Sequence, residues 1–301
     1  MRLGSILCGF RTGIVAGVLL VNRGVLTVLP RIDVGIIAGS STNAISFPED
    51  LKEPGVEMKA EKLVIPTPFG DSPEFVHFSY AGKEILTCRM HGWREGVSRA
   101  DASRQIFWVF HGSGVRYVLT EGGVGAVNHL LKPRDIVLPD DYLDFSLRKD
   151  VSLGLPYLLT MRQPICPDLS DALYAGIREN TPPGYVFRRG VYACTDGRHF
   201  ESPAEVRMLK QLGADVVGQS LCPEVYLARE IGAHYASIQL VVNFAEGIVE
   251  DWKHEELADI FYNEAKWAGR TLLRAVTRIP PEFSCACLDL RQQTMLRDHK
   301  E

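Results

Sequence analysis

The chain has 301 residues, 46% of them apolar and 23% charged, the proportions of an ordinary globular protein with ample material for a core. Its 33 Lys and Arg against 37 Asp and Glu leave a formal charge of −4 and a pI near 6.1, which argues against a nucleic-acid binder with a basic face. The seven cysteines (Cys8, Cys88, Cys166, Cys194, Cys222, Cys285 and Cys287) are odd in number and mostly scattered, so reduced thiols in a cytoplasmic protein are expected.

Residues 1–30 loosely imitate a signal peptide around "GIVAGVLLV", but Arg11 and Arg23 break the run and no small-residue cleavage site follows. The run is also too short to span a bilayer. These residues read as a flexible extension ahead of one domain, 31–283, with a tail, 284–301, that carries Cys285-Ala286-Cys287. That close pair lacks the second pair or the histidines of a zinc site, so no metal is expected.

"RIDVGIIAGSS" reads as a buried strand ending in a small-residue loop at Gly39, Ser40 and Ser41. Strands follow around a turn, clearest over 84–89, and helical spacing covers 101–111. "VRYVLTEGGVGAV" reads as a strand running into a glycine-rich loop, and "RDIVLPDDYLDF" as another strand. Residues 152–184 are proline-rich around one helix at 168–179. Ser202-Pro203-Ala204-Glu205 is a capping box with proline at the first helical position, and Gly213 closes that helix. A short helix at 223–230 stops at Gly232, "HYASIQLVVNF" is a long apolar strand, and a final helix spans 253–277.

Strands alternating with helices imply a single-domain α/β fold, a three-layer α/β/α sandwich around a mixed, twisted sheet. Ligands of such sheets lie at strand ends, which gathers Ser40, His91, Gly122, Phe200, Gln219 and Asn243 as candidates. Taken singly, each has an ordinary explanation as a turn, a cap or core packing.

As an ordered set they resemble the trimeric branch of the purine nucleoside and methylthioadenosine phosphorylase family. "GIIAGSS" resembles its first phosphate loop, "RMHG" its arginine-x-histidine, "TPFG" its methylthioadenosine branch, and "EGGVGAV" its central glycine-rich segment. "FESPAEVRMLKQLGADVVGQSLCPEV" is similar to its strongest signature over the whole length, and "CAC" to a cysteine pair of some archaeal members. The resemblance implies that Ser40, Arg89, His91, Ser220 and the Gly123 backbone hold phosphate. It also implies that Phe200, Glu201 and Asn243 bind the base, with Gln219 and His254 near the sugar. Asn243, His91 and Ser220 become the catalytic candidates. Four departures from the family pattern fall on the sugar and base side: Gln219 for a methionine, Val242 for a threonine, Trp93 for a tyrosine, and Asp196 to His199 before the phenylalanine.

The implied activity is phosphate-dependent cleavage of a purine nucleoside by a cytoplasmic homotrimer, without cofactor, nucleic acid or membrane. Negative charge develops on the departing purine, and an amide donor at N7 or O6 suits a 6-oxopurine or its 5′-methylthio nucleoside. The family's methylthioadenosine branch carries aspartate where Asn243 stands. Methylthioadenosine phosphorylase, a water-using nucleosidase and a non-catalytic nucleoside binder are the alternatives left open.

Overall fold

The computed structural model describes residues 18–22, 25–29, 31–249 and 251–293. Of the extension expected over 1–30, residues 1–17 lie outside these. Val18–Asn22 and Val25–Leu29 pair as an antiparallel hairpin.

The expected α/β sandwich around a mixed sheet is the architecture found, and the sheet has eleven strands. They are β1 (Val34–Ile37), β2 (Glu57–Leu63), β3 (Phe75–Tyr80), β4 (Lys83–Cys88), β5 (Tyr117–Ala126) and β6 (Ile136–Val137). Then come β7 (Asp141–Asp144), β8 (Val186–Phe187), β9 (Val191–Cys194), β10 (Val216–Gly218) and β11 (His234–Phe244). β1 lies between β4 and β5, parallel to both, and β11 runs parallel to β5. β10 meets β5 antiparallel, and the β3–β4 hairpin adds another antiparallel pair. β5 and β11 are covered on both faces, which is why β11 reads as a mostly apolar run, interrupted by the buried Ser237 and Gln239, and not as a half-exposed strand.

Helices α1 (Arg99–Ser113), α2 (Pro167–Arg178), α3 (Pro203–Gln211), α4 (Leu221–Ile231) and α5 (His254–Arg278) begin and end where local chemistry dictates. Ser98 accepts from Asp101 N at the start of α1, and the Ser202–Glu205 box opens α3, caps that each stabilise by about 1 kcal/mol. Gly114 and Gly232 close α1 and α4 in the left-handed conformation, at φ 78° and 77°. α1 packs on α4, α2 packs on α5, and α2, α4 and α5 all lie against β11. The α2–α5 crossing is close because residue 176 is glycine: a Cβ there would lie 2.8 Å from both Ala275 N and Thr271 O.

One expectation changes. The glycine-rich "EGGVGAV" is not a loop but the second half of β5. Its glycines permit close approach, since a Cβ on Gly123 would lie 2.8 Å from Phe261 Cε1 and 3.1 Å from Ser40 Oγ. The segment after 284 is docked as far as it is described: Arg291–Gln293 pairs with Tyr157–Leu159, and Cys287 and Leu290 are buried.

Candidate active site

The segments that follow β1, β4, β9 and β10, the second half of β5 and the end of β11 line one cavity. Ser40, His91, Gly123, Phe200, Glu201, Gln219, Ser220 and Asn243 meet there, although Asn243 follows Ser40 by 203 positions. Two residues named from the sequence stand apart. Arg89 is exposed and donates from Nη2 to Asn43 O (2.8 Å) and Asn43 Oδ1 (3.3 Å). His254 is the exposed first residue of α5, one turn before Leu257, which lines the cavity with Phe261.

At one end, Gly123 N–H donates to Ser40 Oγ at 2.8 Å, so the serine's own hydroxyl proton is free to point elsewhere. Behind this loop the buried Glu121 carboxylate gathers the amides of Gly39, Ser41 and Thr42 and the Thr42 hydroxyl. The loop is thereby held by a carboxylate of the chain itself. Gly39 has no room for a side chain, because a Cβ would lie 2.1 Å from Glu121 O and 2.6 Å from His91 Nε2. His91 sits in the left-handed region at φ 54°, and its Nδ1 lies 2.8 Å from Glu224 Oε1 of α4, both side chains buried. That contact assigns the Nδ1 proton and turns Nε2 toward the loop. Ser220 opens α4 and makes no capping bond with its side chain, and the extended backbone at Cys222 (φ −99°, ψ 136°) sets it ahead of the regular helix, so its hydroxyl keeps bonding capacity for the cavity. Its backbone N–H donates to Tyr192 OH at 3.2 Å. Burial pushes the Tyr192 phenol well above its ordinary pKa and does the same at Tyr235, which donates to Glu224, so both remain neutral donors.

At the other end, the pairing of β11 with β5 shifts register between Val241 and Asn243. Such a bulge turns neighbouring side chains to one side, and Val242 and Asn243 both line the cavity where regular alternation would send only one. Asn243 Nδ2 donates to Phe244 O at 2.8 Å, which fixes the amide and leaves a second N–H and Oδ1 for a ligand. Glu201 accepts from Thr195 Oγ1 at 2.5 Å through one oxygen and keeps the other. Phe200, 48% exposed at the mouth, meets Trp252 edge-on at 5.0 Å, and Trp252 Nε1 donates to Glu246 Oε1.

Gln219 explains one departure from the family pattern through another. Its amide packs where a Cβ on Gly197 would fall, at 1.9 Å, so this placement of Gln219 requires the φ 66° glycine. Gln219 Nε2 donates to His199 O, and Gln219 Oε1 accepts from Arg99 Nη1 at 3.0 Å. The Arg99 guanidinium in turn lies 3.8 Å over the Trp93 ring. Burial, with Arg148 and Arg198 nearby, lowers its pKa, but a guanidinium stays charged. Sequence reading missed Arg99, Glu121, Glu224, Phe261 and Trp252. Glu121 alone gave a signal, a carboxylate inside an otherwise apolar and glycine-rich strand.

Comparison with known proteins identifies the family. The profile of the phosphorylase superfamily matches residues 33–277. A Thermococcus kodakarensis protein named "Probable 6-oxopurine nucleoside phosphorylase" is 32% identical over 87% of this chain and 97% of its own length. A Methanopyrus kandleri protein named "Probable S-methyl-5'-thioinosine phosphorylase" is 36% identical over 61% of this chain and 73% of its own. Methylthioadenosine phosphorylase from Schistosoma mansoni, solved with adenine, shares the fold with a TM-score of 0.71 at 23% identity, covering 86% of this chain and 95% of that one. The chain belongs to the phosphorylase superfamily.

Proposed function

We propose that the chain is a purine nucleoside phosphorylase for 6-oxopurine nucleosides or their 5′-methylthio analogues. The observation that carries this is the two-ended cavity, with Glu201 and Asn243 at one end and Ser40, His91 and Ser220 at the other. A 6-oxopurine presents an N1–H donor, which the free oxygen of Glu201 accepts, and an O6 and N7 edge, which the spare Asn243 N–H supplies. A 6-aminopurine presents an N1 lone pair that repels the carboxylate. As the glycosidic bond breaks, the Asn243 donor stabilises charge developing on the purine, an interaction stronger in the transition state than in the bound substrate. Phosphate attacks C1′ from the side of Ser40, His91, Gly123 and Ser220, and Arg89 joins that set on releasing Asn43. Phe200 covers the base, and Gln219 and His254 lie toward the sugar.

Relatives named for 6-oxopurine and methylthioinosine substrates support the base assignment. Methylthioadenosine turnover is the nearest alternative, supported by relatives named S-methyl-5'-thioadenosine phosphorylase, among them a Pyrococcus furiosus protein 30% identical over 87% of this chain and 98% of its own. Residence in the cytoplasm agrees with the free cysteines and with the lack, among the described residues, of a helix able to cross a membrane. Assembly as a homotrimer follows the family resemblance. One observation favours water as the nucleophile: no Lys or Arg lines the cavity among the described residues, and Glu121 already takes three amides of the first loop. Base release from inosine, guanosine, methylthioinosine and methylthioadenosine, with and without phosphate, separates the readings. Phosphate-dependent release of a 6-oxopurine is expected. Release that ignores phosphate makes the protein a nucleosidase, and no release makes it a binder.

A further inference from the structure

At the opposite end of β11 from Asn243, Cys285 and Cys287 meet two residues that sequence proximity does not reveal. Cys166, the N-cap of α2, and His234, the first residue of β11, complete a group whose four ligand atoms all lie within 4.8 Å of one another. Cys166 Sγ is 3.4 Å from His234 Nδ1 and 3.6 Å from Cys285 Sγ, and Cys285 Sγ is 3.3 Å from His234 Nδ1. A tetrahedral ion with metal–sulfur bonds of about 2.3 Å and a metal–nitrogen bond of about 2.0 Å has S···S edges of about 3.7 Å and S···N edges of about 3.5 Å. These three edges agree with those values to within a few tenths of an ångström, and the Cys287 sulfur lies within 4.8 Å of the other three ligand atoms. We propose that Cys166, His234, Cys285 and Cys287 form a structural zinc site.

The chemistry of the donors selects the ion. Three thiolates and an imidazole are soft ligands unsuited to magnesium or calcium, and their mutual closeness fits one ion and not a cluster. The set is closed, with four protein ligands and no position for water or substrate, so its role is to hold structure. The surroundings fit that role. The His234 ring stacks on Phe283 at 4.0 Å and near Tyr117 at 5.8 Å, which fixes its orientation. Asp168 on the first turn of α2 accepts from Cys285 N at 3.0 Å and from Ser284 N, holding the Cys-Ala-Cys backbone over the helix start. Cys166 and Cys287 are almost fully buried, and His234 is 7% exposed. Zinc here clips the segment after 284 to α2 and to the sheet, with the three thiol protons released to solvent on binding.

The site makes no use of the nucleoside cavity, so its test stands apart from the proposed activity. The full chain, without an affinity tag and purified in a reducing buffer, is analysed for metals by mass spectrometry. About one equivalent of zinc per chain is expected, falling to near zero in the Cys285→Ser/Cys287→Ser double variant. Where that variant fails to fold, the wild-type chain decides: exchange of zinc for cobalt gives the intense visible absorption of a tetrahedral thiolate site. Wild-type chain free of metal that cobalt leaves colourless overturns the proposal. So does a disulfide joining any two of Cys166, Cys285 and Cys287 in protein kept reduced throughout.

Discussion

One strand, β11, ends in two different kinds of site. At its C-terminal end a bulge aims Asn243 into a cavity bordered by glycines, and its polar atoms keep bonding capacity in reserve. At its N-terminal end, roughly 30 Å away along the strand, His234 packs against the Phe283 and Tyr117 rings with its Nδ1 already beside two cysteine sulfurs. The first end is left unsatisfied so that a substrate can complete it. The second is saturated by the chain's own ligands and one ion. Polar groups with spare capacity serve recognition, and polar groups used up in a closed shell serve stability.

If that division holds, substitutions at the two ends separate cleanly. Asn243→Ala removes the donor to the leaving group and lowers kcat/KM for inosine by about 10²- to 10³-fold, while the Tm stays close to wild type. Steady-state base release and a thermal melt, run together, check both halves. Glu224→Gln leaves His91 without its buried carboxylate partner, and the KM for phosphate rises by about 10- to 100-fold with a smaller change in kcat. A phosphate titration at saturating nucleoside measures this, and an unchanged KM would remove His91 from the anion end. Cys287→Ser acts in the other direction. It lowers the Tm by about 4 °C or more and changes kcat/KM by less than about twofold. A large kinetic loss with an unchanged melt would show that the two ends of β11 are coupled. The smallest effect is expected of Tyr192→Phe, which removes only the phenol oxygen from the Ser220 amide and costs about threefold in kcat/KM.

What the sequence discloses differs between the two ends for the same physical reason. Elements with local rules are legible: the Ser202–Glu205 capping box, the Gly232 stop and the apolar run of β11 coincide with the structure. The cavity is legible because strand ends of an α/β sheet converge, so nine of the eleven residues named for it do meet. Arg89 escapes because its side chain follows Asn43, a contact that no pattern encodes. The glycines of β5 misread as a loop because composition registers their missing side chains, while the structure uses the space they leave for Phe261 and Ser40. The Cys and His cluster is illegible for a further reason. Its members come from three segments, 166, 234 and 285–287, and only the folded sheet brings them together.

In the proposed function Glu201 reads N1 of the base and Asn243 its O6 and N7 edge. The ratio of kcat/KM for methylthioinosine over methylthioadenosine, measured for wild type and for Asn243→Asp, tests it most directly. A wild-type preference for the 6-oxopurine is expected, with a shift of about tenfold or more toward the 6-aminopurine in the variant, since an aspartic acid accepts from a 6-amino group through one oxygen and donates to N7 through the other. A wild-type preference for methylthioadenosine, or a ratio that does not move with the substitution, would contradict it.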